Sequence, residues 1–83
     1  MEIMERPWEV VGWEKTLSEK GTEGCRLYIQ QPIDDQATGE GYACGRVWFN
    51  PENVKYTPQL GHQIIIITDE RNRNIVNRII VVK

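Results

Sequence analysis

Two short stretches hold the side chains with the most chemical potential. In residues 25–32, Arg26, Tyr28 and Gln30 alternate with Cys25, Leu27 and Ile29; in residues 42–50, Tyr42, Cys44, Arg46 and Trp48 alternate with Ala43, Gly45, Val47 and Phe49. Successive side chains of an extended strand point to opposite faces. Each stretch therefore reads as a strand with a packing side and a side left to touch something else. Flat rings beside guanidinium groups suit a single-stranded nucleic acid, whose bases stack on aromatics for about 1–3 kcal/mol each while cations follow its phosphates. The expected platform is Tyr28, Tyr42 and Trp48 with Arg26 and Arg46 among them. The same rings could instead complete a small second core or a subunit contact, since a Trp on the open face of so small a domain is costly without a partner.

Other chemistry is sparse. His62 is the only histidine and begins an apolar run, where packing or solvation is its ordinary fate. Cys25 and Cys44 have no neighbouring Cys or His at metal-ligand spacing, which argues against zinc and for two free thiols. Asp34, Asp35 and Glu40 lack the alternate-ligand pattern of a calcium loop and read as a solvated acidic loop. A nucleophile, a base and an orienting group cannot be assembled from these residues, so no enzyme and no cofactor is expected.

Bulk properties set the frame. A chain of 83 residues has room for one core and buries only about 60% of its unfolded surface. Its 40% hydrophobic and 27% charged content is that of a globular domain. With no apolar run long enough to span a bilayer and an acidic start where a signal peptide would be basic, the expected location is the cytoplasm. The net charge of −2 argues against a strongly basic nucleic-acid binder. Its distribution is uneven, however. Residues 1–45 carry nine acidic and four basic side chains, whereas residues 46–83 carry six basic and three acidic ones. A local basic face is compatible with that asymmetry.

The elements that must position these groups are short strands. Residues 8–17, 25–32, 42–50, 62–68 and 74–82 have strand composition, separated by Gly-containing or charged breaks. Asn50-Pro51-Glu52-Asn53 carries helix-start chemistry, with Asn as cap, Pro at the first position and an acid near the positive dipole end. Pro58 and Gly61 would limit such a helix to a turn or two. Five strands with a short helical turn between the third and fourth is the layout of an OB barrel, so the expectation is an all-β, five-stranded OB-like domain over residues 1–83. An SH3-like barrel or a small sandwich shares the periodicity. Lys15 and Lys20 flank the first loop and Arg71 and Arg73 tip the last hairpin, both places from which OB domains reach around a strand. The four isoleucines of residues 64–67 are apolar on both faces, which suggests a subunit interface on one of them.

Three segments carry a family resemblance across roughly residues 15–83. Lys15 followed by Ser18-Glu19-Lys20-Gly21 is similar to a basic Ser-x-x-Gly-Lys loop; Tyr56-Thr57-Pro58-Gln59-Leu60 is similar to a Tyr-x-Pro-x-Leu segment; residues 77–83 resemble a closing strand in which Arg78 matches a basic position. These belong to the small dimeric single-stranded-DNA-binding, helix-destabilising proteins of filamentous phages and related mobile elements. The resemblance implies an OB fold, a homodimer, cooperative binding of single strands, and neither catalysis nor a cofactor. The chain departs from the pattern at the hairpin tip, where Arg71-Asn72-Arg73 has no stacking aromatic, and at Glu19 and Glu23, where the family is basic or neutral.

The resulting expectation is a sequence-tolerant single-stranded-DNA-binding protein of a phage, plasmid or integrated element. Tyr28, Tyr42 and Trp48 would stack on bases; Lys15, Lys20, Arg26, Arg46, Arg71, Arg73 and Arg78 would meet phosphates. A protein-binding β-barrel, adaptor or inhibitor, fits the negative charge better and is the alternative. RNA binding comes third, for want of an RNA-binding aromatic signature.

Overall fold

The computed structural model describes residues 2–3, 6–33 and 39–83, with the backbone alone at Glu2 and Ile3, and all its regular structure is strand. The strands are β1 (Glu2–Ile3), β2 (Trp8–Leu17), β3 (Glu23–Pro32), β4 (Tyr42–Phe49), β5 (Gln63–Thr68) and β6 (Val76–Val81). Asp34 and Asp35, weighed as members of an acidic loop, lie outside the described residues.

Every pairing is antiparallel. β2 pairs with β3 and β3 with β4, while β5 pairs with β6 along one edge and with β1 and the start of β2 along the other. The long β2 therefore serves two neighbours, Glu9 lying opposite both Gln30 of β3 and Gln63 of β5. A bulge between Val10 and Gly12 bends the strand where it changes partner. β4 and β6 come close at the far side without ladder pairing between them, so the sheet curls but is not closed.

The alternation read from sequence sets the core. Leu27, Ile29 and Phe49 point inward with Val10, Val54, Ile64, Ile66, Val76 and Ile79, and Leu27, Ile64 and Ile66 are each 0% exposed. Of the four isoleucines, Ile64 and Ile66 face the core. Ile65 and Ile67 face outward and are half-buried, beside Ile80 of β6.

One expected element is absent, for among the described residues there is no helix. The cap chemistry at Asn50 is present nonetheless. Its side-chain oxygen accepts from Glu52 N–H at 2.9 Å, and its carbonyl accepts from the N–H groups of Asn53 and Val54 at 2.9 Å each. One hydrogen-bonded turn results and goes no further. A helix nucleus is costly and gains only by extension, whereas here Val54 is drawn into the core and Tyr56 against it, and Pro58 follows at once.

The β2–β3 hairpin closes through Ser18, whose hydroxyl accepts from the N–H groups of Lys20 and Thr22 at 3.3 and 3.1 Å. Gly21 takes φ +80°, a left-handed conformation that L side chains rarely adopt. The β5–β6 loop carries two turns of the same kind, with Asp69 accepting from Arg71 N–H and Asn72 from Asn74 N–H.

Candidate nucleic-acid interface

Pairing register decides which side chains share the outer face. Arg26 lies opposite Trp48 and Glu14, Tyr28 opposite Arg46 and Gly12, and Gln30 opposite Cys44. The outward rows of β2, β3 and β4 are thus brought side by side, as the alternation requires. The β5–β6 hairpin then folds toward the end of this face where Trp48 sits. Between them runs a groove of about 240 Å³ lined by Arg26, Arg46, Val47, Trp48, Arg73, Asn74 and Val76. Four of the ten candidate residues therefore meet at one place.

Trp48 is held there by Gly24. A Cβ at position 24 would collide with Cζ2 and Cε2 of the indole, so the ring lies flat on bare backbone. Its Nε1–H is buried and has no hydrogen-bond partner. A buried donor without an acceptor costs about 1–3 kcal/mol, so stability alone would favour a ring without the N–H. Gly24→Ala is expected to push the indole off its seat at a cost of about 1–3 kcal/mol. Denaturant unfolding checks the stability, and a change in tryptophan emission checks the displacement.

The remaining candidates are dispersed. Tyr28 is half-buried next to the groove residues, its ring over Gly12 and its hydroxyl donating to Glu14 Oε1 at 2.7 Å. The same oxygen lies 3.5 Å from Arg26 Nη1. Tyr42 is 60% exposed but six residues along β4 from Trp48, about 20 Å in an extended strand. Lys20 is in the β2–β3 turn and Arg71 in a polar depression with Asp69, Glu70 and Asn77. Arg78 lies opposite Ile67 on the outer side of the β5–β6 hairpin. Lys15 stands opposite Cys25, on the inward side of β2, and lines a different cleft.

Sequence reasoning missed Val47, Asn74 and Val76 as groove walls, Gly24 as the seat of the indole, and Glu14 as the acceptor shared by Tyr28 and Arg26. Gly24 alone carried a signal, being a glycine on the outward row one step diagonal from a Trp.

Both cysteines are free thiols, on opposite faces, with Cys25 buried and Cys44 exposed. Burial pushes the Cys25 thiol above its ordinary range, and nearby Lys15 offsets this only in part, so the group stays protonated. Burial likewise raises the Tyr56 phenol, whose oxygen lies 2.9 Å from His62 Nδ1. His62 thus packs in a polar pair beside the core. Among the described residues no group of three or more His, Cys, Asp or Glu side chains gathers as a metal site would need, and no helix is long and apolar enough to cross a membrane. No protein-family model, curated protein or solved structure matches this chain, which leaves the chemistry of this face as the guide to function.

Proposed function

We propose that this chain is a sequence-tolerant single-stranded-DNA-binding protein of a phage, plasmid or integrated element, non-enzymatic and cytoplasmic, built on an OB-like barrel. One observation carries the reading. Arg26, Arg46 and Arg73, from three different elements, line a single groove around the Trp48 indole. That combination supplies cations for phosphates and a ring for a base within a few nucleotides' reach. The OB assignment is supported by the bulged β2 shared between two neighbours and by the approach of β4 to β6, where an OB barrel would close. A homodimer is supported by the outward Ile65, Ile67 and Ile80, a row of apolar side chains only half covered.

The net charge of −2 is accommodated by position. Glu14 and Glu9, whose carboxylate accepts from Gln30 at 2.7 Å, stand on the β2 side of the face, while Arg46 and Arg73 stand on the β4 side and Arg26 lies between, 3.5 Å from Glu14. The strand would run along β4 and the β5–β6 hairpin, meeting a carboxylate only where Glu14 reaches Arg26. Tyr28, tied to Glu14, then borders the track rather than forming its centre.

Fluorescence anisotropy of a labelled oligo(dT) tests the proposal. Three phosphate contacts give a slope of log K against log salt near −2, so affinity should fall about 15-fold between 50 and 200 mM salt. No binding at micromolar protein in low salt would end the DNA reading and favour the protein-binding barrel.

Glu14 competes with phosphate for Arg26. Removing its charge in Glu14→Gln should tighten oligo(dT) binding about two- to fivefold, the scale of one exposed ion pair. The same anisotropy titration measures the gain.

A further inference from the structure

On the other side of the sheet, at the same end of β3 and β4, is a larger cleft of about 480 Å³. Trp13 forms one wall and is 44% exposed, although it lies opposite the fully buried Leu27 on the inward side. Pro51, Tyr56 and Pro58 also line it, as do the core residues Phe49 and Cys25. Tyr56 is fixed in place, its ring tilted 57° against Phe49 at 6.0 Å between centroids and its hydroxyl bonded to His62. The cleft thus combines an open indole with an immobilised phenol ring.

We infer that this cleft is a second binding site, for a neutral planar heteroaromatic of the nucleobase or nucleoside class. Its size is within the range of small-molecule sites, and its walls are rings and prolines, which suit the faces of a flat ligand. Among the polar lining residues, Thr22, Asn50 and Thr57 offer hydrogen bonds to a ring edge. Charge sets the ligand class further. The lining holds one cation, Lys15, and two carboxylates, Glu23 and Glu52, so a free phosphate is disfavoured here as it is not in the arginine groove. The inference is independent of the strand-binding proposal, because the cleft uses none of Arg26, Arg46, Trp48 or Arg73.

The test follows the indole N–H resonance of Trp13 by NMR during titration with adenosine and, separately, adenosine monophosphate. Saturable shifts with adenosine at a dissociation constant of about 0.1–1 mM are expected. The monophosphate should bind about two- to fivefold more weakly. Glu52→Lys, an exposed change, turns the net charge of the lining from −1 to +1 and should reverse that preference, and Trp13→Ala, followed through the backbone N–H resonances of Cys25, Tyr56 and Thr57, should abolish adenosine binding. Arg46→Glu with Arg73→Glu should leave it unchanged, which separates this site from the groove. Absence of saturation with adenosine, tighter binding of the monophosphate by the unaltered protein, or adenosine binding undiminished in the folded Trp13→Ala protein would each overturn the inference.

Discussion

Replacing Arg46 and Arg73 together by glutamate is expected to lower oligo(dT) affinity at least about 100-fold. A hydrogen bond to a charged group contributes about 1.5–3 kcal/mol, so losing two amounts to about 3–6 kcal/mol before the repulsion of the new carboxylates is counted. The two residues come from β4 and from the β5–β6 loop, on opposite walls of the groove. Both are exposed, and thermal unfolding of the same variant separates a loss of binding from a loss of fold. Salt dependence gives a second readout. With Arg26 as the remaining contact, the slope of log K against log salt should shrink from near −2 to near −0.7. A protein that bound through diffuse surface charge would lose affinity without this loss of slope. Charge reversal at Lys20 supplies the contrast, since it lies in the β2–β3 turn and does not line the groove.

Trp48→Ala is expected to cost about 5- to 150-fold in affinity, the equivalent of 1–3 kcal/mol for one lost stacking platform. Trp48→Phe keeps a ring and removes the buried N–H that lacks an acceptor, so it should bind with an intermediate affinity and melt no lower than the parent. This pair of variants separates binding from folding. Were the indole only a plug over Gly24, affinity would follow stability, and phenylalanine would restore both or neither. Anisotropy titration and thermal unfolding on the same samples make the comparison.

How far the sequence foretold this arrangement differs from element to element. The faces of β3 and β4 were legible because Leu27, Ile29, Val47 and Phe49 leave no doubt about which side is buried, and a strand has only two sides. Residues 8–17 were legible as a strand but not in their facing. The bulge between Val10 and Gly12 shifts the alternation by one, which turns Trp13 and Lys15 inward and Glu14 outward. Nothing local in that segment announces an extra residue. Lys15 was grouped with the phosphate contacts because it flanks the first loop; the structure places it at the aromatic cleft.

Long-range folding decided the rest. Arg71 and Arg73 are equivalent in sequence, two cations on one charged tip. Only the approach of β6 to β4 places Arg73 beside Trp48 and leaves Arg71 among Asp69, Glu70 and Asn77. The pinning of Tyr28 likewise depends on Glu14 of β2 being next to Arg26 of β3, a matter of hairpin register. The helix start at Asn50 was correct chemistry on too short a segment. Val54 and Tyr56 gain more by entering the core than by continuing a helix that Pro58 would stop. The strand β1, two residues long, is below the length at which any periodicity can be read.

Backbone and indole N–H shift mapping with unlabelled oligo(dT) addresses the groove most directly. The largest changes should fall on Arg26, Arg46, Val47, Asn74 and Val76 and on the Trp48 indole N–H, with residues along the β2 edge little affected. Shifts centred instead on Glu9, Gly12 and Glu14, with the Trp48 indole unmoved, would contradict the assignment of the groove as the path of the strand.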